Sequence, residues 1–185
     1  IWTMDLCMEA CREMNKSVVI LDRPNPIGGH ITEGPVLDFN FTSFVGQRRL
    51  PIRHGLTLGE IGTYFKNEFY PTLDFHIIPV QGWNRKMWFD DTYLPWVLPS
   101  PNMPTLNTAS VYPGMCLLEG TNLSEGRGTT RPFETFGAPF IDPEASANRL
   151  KEFKLPGVIF RPMFFLPTFQ NHAGISEARR IGKEC

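Results

Sequence analysis

Residues 3–29 constrain the fold more tightly than any other stretch. Met4, Cys7, Met8, Cys11 and Met14 recur at helical spacing and mark one apolar helix face. Ser17 to Leu21 (SVVIL) follows as a short run rich in β-branched residues. A helix that passes at once into such a strand predicts an α/β unit with a parallel sheet. Pro24 and Pro26 end the strand, and Gly28 and Gly29 allow the turn behind it. In open α/β sheets, ligands bind at the loops after the carboxyl ends of the strands. Asp22, Arg23 and Asn25 are therefore placed to face a crevice. The plainer alternative is that Asp22 and Arg23 only hold the turn together.

Further along, His30 to Pro35 forms a second polar loop with a carboxylate, Glu33. Val36 to Val45 is expected to lie across the surface with Phe39, Phe41 and Phe44 inserted. Gly46 to Pro51 is polar, basic and ends in proline, the composition of a linker, and places a domain boundary near residue 48. Thr57 and Glu60 match a capping box for a helix to about Asn67. Arg53 and His54 precede that helix in a loop, where polar residues often carry function, although a lone histidine is more often structural. Leu73 to Val80 reads as a strand. Trp83, Trp88, Tyr93 and Trp96, mixed with Arg85 and Asp90, suit either sugar stacking or core packing. The prolines between Pro95 and Pro104 impose a rigid extended loop that fixes Ser100 and Asn102. Thr105 to Val111 predicts a short helix, and Met115 to Leu118 a buried strand. Asp142-Pro143 opens another helix, to about Phe153, and Val158 to Phe160 is a strand. His172 and Gly174 end the readable pattern.

Composition narrows the partners. The 185 residues carry a net charge of -1, which offers nothing to a nucleic acid or a membrane surface. No apolar run is long enough to span a bilayer. Cys7 and Cys11 are read as buried thiols on the helix face. A metal pair is the sharper alternative, but no histidine sits nearby to complete it. Ile1 begins inside an amphipathic pattern and Cys185 follows a charged stretch, so the chain is expected to be an internal piece of a longer protein.

The densest chemistry lies in Glu119 to Gly137, EGTNLSEGRGTTRPFETFG. It sets Glu119, Glu125, Arg127, Arg131 and Glu134 among glycines, with Asn122, Ser124, Thr129 and Thr130 as neutral hydrogen-bonding groups. A site for a polar, partly anionic molecule uses such a mixture. A surface loop crosslinked by its own Glu–Arg pairs uses it equally well. The chain has no phosphate-binding loop, no HExxH, no paired CxxC and no G-x-S-x-G. Glycoside hydrolysis takes carboxyl groups flanking one bond, and Asp22, Glu33, Asp90, Glu119, Glu125 and Glu134 are the loop carboxylates at hand.

Several longer motifs occur in a telling order: VILDRPNPIGG at 19–29, Glu33-Gly34-Pro35, Ser43 to Gly46, Arg53-His54-Gly55, Pro99 to Pro104, EGTNLSEGRGTTRPFE at 119–134, Phe160-Arg161-Pro162 and Pro167-Thr168-Phe169. The series closely resembles the bacterial exo-β-N-acetylmuramidase family and covers nearly the whole chain. The resemblance implies an exported enzyme that removes terminal N-acetylmuramic acid from the non-reducing ends of peptidoglycan fragments, with no cofactor and no metal. It implies the end of a Rossmann-like parallel-sheet domain over residues 1–48 and a second α/β subdomain over 49–185. The family's upstream Pro-Glu-His-Gly run does not occur here, and a catalytic carboxylate can lie in it; the family also continues past Cys185. N-acetylmuramic acid carries a lactyl carboxylate, which a guanidinium grips bidentately. Arg127 and Arg131 are the expected grips, with Arg53 and His54 next. Glu125 and Glu119 are expected to do acid/base work or orient a hydroxyl. Asp22, Arg23, Glu33, Asn102 and Asn122 complete the expected substrate-binding set. A carbohydrate-binding protein that holds such fragments without cleaving them is the alternative.

Overall fold

In the computed structural model, residues 1–170, 173 and 179–184 are described, the last group by backbone alone. His172, Gly174 and Cys185 lie outside them. The chain forms two compact units, Ile1–Leu94 and Pro95–Cys185. The boundary expected near residue 48 falls inside the first of these.

In the first unit, helix α1 (Trp2–Glu13) leads into strand β1 (Val18–Leu21). Strand β4 (Phe75–Ile78) pairs with β1 in parallel, from Val18 opposite Phe75 to Leu21 opposite Ile78. This is the expected α/β arrangement. Strands β2 (Glu33–Val36) and β3 (Pro51–Arg53) form a separate antiparallel pair. Helix α2 (Leu58–Phe69) starts at the full capping box: the Glu60 amide donates to Thr57 Oγ1, and the Thr57 amide donates to Glu60. Its Ile61 and Phe65 bury against Met8 of α1, with Tyr70 and Leu73 closing the cluster. Each such side chain contributes roughly 1.5–3 kcal/mol by leaving water. Gly62 lets α2 lie close on the sheet, because a Cβ there would collide with the Ile20 side chain.

Three sequence expectations fail in this unit. Cys7 is exposed, since α1 buries Asp5 and Met8 instead and the stripe is rotated. Residues 46–51 do not form a linker. Arg48 donates to the buried Asp5 carboxylate at 2.8 Å and to Tyr70 Oη at 2.9 Å, and its guanidinium lies over the Phe69 ring at 4.1 Å. Burial, and then the Asp5 carboxylate, push the Tyr70 phenol up to about 12. Phe39, Phe41 and Phe44 are exposed rather than inserted. Asp38 caps a tight 3-10 turn over Phe39–Phe41, which fixes the backbone independently of the rings.

In the second unit, helix α3 (Leu106–Met115) starts at Thr105, whose hydroxyl accepts from the Thr108 amide. It outruns the expected end at Val111, continuing through Pro113 in its last turn before the chain tightens into a 3-10 turn over Cys116–Gly120. The strand expected at 115–118 is thus helical. Strand β5 (Thr135–Gly137), helix α4 (Pro143–Lys151), strand β6 (Ile159–Phe164) and strand β7 (Arg179–Glu184) follow. The sheet order is β5-β7-β6, all antiparallel. Pro162 is tolerated because β6 is an edge strand. Asp142 caps α4 through the Ala145 amide, and α4 packs Ala147 against Phe160. Among the described residues, no helix is long and apolar enough to cross a membrane.

Candidate functional site

The loops at the carboxyl end of β1 are tied down by their own polar residues. Asp22 accepts from Thr57 Oγ1 at 2.9 Å and from the Gly59 amide at 2.7 Å. It therefore anchors the positive end of α2 to the strand, the plainer of its two readings. Asn25 is buried between the Leu56 carbonyl and the Ile27 amide. Arg53 donates to Glu33 at 2.8 Å and to the Ile27 carbonyl at 3.0 Å. The Arg53 Nε and Trp83 Nε1 atoms are buried without a hydrogen-bond partner among the described residues. His54 Nδ1 accepts from the Leu56 amide at 3.0 Å, so the neutral ring carries its proton on Nε2. Burial pushes its pKa down against the pull of Glu60. Arg23 is exposed and forms no ion pair with a described residue. Asn102 stands half-buried in a turn where the Met103 amide donates to the Ser100 carbonyl.

The second unit assembles the polar stretch 119–137 into a built structure. Ser124 and Gly137 exchange two backbone bonds and close the loop. Gly126 sits at φ +85°, and a Cβ there would lie 2.5 Å from the Thr135 carbonyl oxygen, so only glycine fits. The Phe133 amide donates to the Glu125 carbonyl at 2.6 Å across the loop. Gly128 receives the Thr168 amide and hydroxyl on its carbonyl. This scaffold turns Arg127 between two carboxylates. Its Nη2 pairs with Glu119, and its Nε lies 3.3 Å from Glu125 Oε1. The side chains differ in access: Glu125 is 4% exposed, Arg127 21% and Glu119 37%.

Two aromatic rings back the cluster. Arg127 lies over the Phe133 ring at 5.4 Å, and Tyr112 meets Phe133 edge-on at 4.8 Å. Burial acts to lower the Arg127 pKa, but the hydrogen bond and charge of Glu119, then the charge of Glu125, outweigh it and raise it. Burial, then Cys116, then Glu119 raise the Tyr112 phenol, with Arg127 opposing. Glu134 is drawn elsewhere, accepting from Thr108 Oγ1 at 2.6 Å. Asn122 is exposed, three residues after Glu119 in sequence. Arg131 is exposed, and its guanidinium forms no ion pair with a described residue.

The structure thus brings Glu119, Glu125 and Arg127 together within the second unit, and Glu33 with Arg53 in the first. Arg127 is not the free cation that the sequence suggests, because two carboxylates already claim it. Tyr112 escapes the sequence reading. Its signal is the stripe Thr108, Tyr112, Cys116, Glu119, which keeps helical spacing straight through Pro113. Among the described residues, no group of three or more metal-ligating side chains occurs.

Comparison with known proteins gives a consistent result. A family model described as the N-terminal part of the exo-beta-N-acetylmuramidase NamZ matches residues 1–107, and its C-terminal counterpart matches residues 110–177. The peptidoglycan beta-N-acetylmuramidase NamZ of Bacillus subtilis (strain 168) is 51% identical over 174 residues, covering 94% of this chain and 42% of that protein. Two crystal structures of DUF1343 family proteins from Bacteroides fragilis NCTC 9343 are similar. One has a TM-score of 0.88 at 37% identity, over 98% of this chain and 48% of the other. The second has a TM-score of 0.73 at 31% identity, over 98% and 47%. The chain spans less than half the length of each of these relatives.

Proposed function

The chain belongs to the exo-beta-N-acetylmuramidase NamZ family, and from that membership we propose that the protein containing it removes terminal N-acetylmuramic acid from the non-reducing ends of peptidoglycan fragments. The observation that carries this reading is the 51% identity, spread over 94% of the chain, to a curated peptidoglycan beta-N-acetylmuramidase. The reading includes export, since such fragments arise at the cell wall.

The geometry of the second unit supports distinct roles within the proposed site. Glu119 is the carboxylate with access to solvent, so it is the one that meets the sugar. Glu125 is buried, and its role is to hold Arg127 in place as a positioning residue. Arg127 fixes the Glu119 carboxylate from the other side. Arg131, with no competing ion pair among the described residues, is the group that takes the lactyl carboxylate. The second carboxylate of the reaction is sought outside these residues.

A discrimination experiment tests this assignment. In the full-length protein, Arg131→Ala is expected to lower kcat/KM for a chromogenic N-acetylmuramide by roughly tenfold or more, while leaving the residual rate on the matching glucosaminide unchanged. An equal loss on both substrates rejects a lactyl-reading role.

A further inference from the structure

Among the described residues, five other than glycine hold a positive φ. Asn15, Tyr93, Lys154 and Gln170 are exposed. Phe133 differs: it sits at φ +63° and is only 2% exposed. A bulky side chain adopts that backbone region rarely, because its Cβ crowds a neighbouring carbonyl. The turn is closed by the Phe133 amide, which donates to the Glu125 carbonyl at 2.6 Å. Glycine would meet the same turn at lower cost. What glycine lacks is the ring.

The ring does something that the ion pairs around it do not. Glu119 at Nη2 and Glu125 at Nε hold the Arg127 guanidinium through its edge. Such bonds leave a planar group free to tilt. The Phe133 ring, with its centre 5.4 Å from the guanidinium carbon, backs the flat side and limits that tilt. Phe133 is itself gripped by Tyr112 of α3, whose ring meets it edge-on at 4.8 Å and 86°. A strained turn thus sets its ring between a helix side chain and Arg127. Strain of this kind persists where the surroundings over-determine it, and it gathers at functional sites.

We propose that Phe133 is a positioning residue for the hydrolysis: its ring fixes the tilt of Arg127, Arg127 fixes the Glu119 carboxylate, and Tyr112 fixes the ring. The role rests on the muramidase reading, because it is the sugar reaction whose rate depends on where Glu119 points. A carboxylate that must meet one atom of the substrate loses rate when it wanders, even while the substrate still binds. The alternative is that Phe133 only fills the interior of the second unit, with Arg127 lying against it incidentally.

A double-variant cycle on the full-length protein, with a chromogenic N-acetylmuramide as substrate, separates the two. Phe133→Leu keeps apolar bulk and removes the ring. Arg127→Lys keeps a cation beside Glu125 and removes the planar face. Each alone is expected to lower kcat about tenfold, with KM changed by less than about twofold. Together they are expected to lose little more than either alone, because the ring acts only through the guanidinium. Tyr112→Leu, at a residue 38% exposed, removes the edge contact without opening the core. It is expected to lower kcat about threefold, with no further loss beside Arg127→Lys, and it decides the matter if Phe133→Leu does not fold. Unchanged kcat, or losses that multiply in the double variants, whether or not Tm falls, would overturn the positioning role and leave the enzymatic reading standing. No turnover by the wild-type protein would overturn both.

Discussion

Glu119→Gln in the full-length protein is expected to lower kcat for a chromogenic N-acetylmuramide about 10²–10⁴-fold, the range lost with a positioned acid or base, with little change in KM. Glutamine keeps the shape of the side chain and removes its charge and its proton chemistry. The position favours chemistry over architecture. The Glu119 side chain is 37% exposed at the end of a 3-10 turn, so its loss uncovers no core. Its orientation is nevertheless fixed, because Arg127 holds it and is itself held by Glu125 and by the Phe133 ring. A carboxylate that is reachable and immobilised is what general acid–base work requires. Turnover within threefold of wild type would show that Glu119 only decorates the Arg127 ion pair.

Arg48→Met is expected to destabilise the first unit by about 3–5 kcal/mol in urea or thermal unfolding. Methionine retains part of the apolar stem over Phe69 but leaves Asp5, which is 1% exposed, without its cation. Tyr70 Oη, 2.7 Å from Asp5 Oδ1, then remains as the carboxylate's side-chain partner. The double variant Asp5→Asn with Arg48→Met should recover part of the loss, because the buried charge is gone. A change below about 1 kcal/mol for the single variant would place the pair among ordinary surface ion pairs.

The parts of this fold that were legible in the sequence are those fixed by neighbours in the chain. Thr57 with Glu60, and Asp142 with Pro143, announce helix starts because capping partners sit three residues apart. The parallel sheet was legible because a helix runs straight into SVVIL. Residues 46–51 misled for the opposite reason. The residue that makes Arg48 structural is Asp5, 43 positions away, and composition alone makes a basic, proline-ended segment look like a linker. Met115 to Leu118 misled because the run is apolar in either conformation, and only the helix arriving through Pro113 decides between them.

The candidate site was legible as a mixture and not as a geometry. Glu119, Glu125 and Arg127 could be picked out by type, since so many charges among glycines have no use in a core. Their pairing depends on the Ser124–Gly137 bridge and the positive φ at Gly126, which no local pattern reveals. That pairing claims Arg127, leaves Arg131 as the arginine of this stretch with no ion pair among the described residues, and separates the accessible carboxylate from the buried one.

Mass analysis of the products from a peptidoglycan fragment that ends in N-acetylmuramic acid tests the central claim most directly, with the full-length protein as catalyst. The expected result is free N-acetylmuramic acid released from the non-reducing end, and nothing released from the same fragment ending in N-acetylglucosamine. Cleavage at internal bonds, or saturable binding of the fragment with no released sugar, would contradict it.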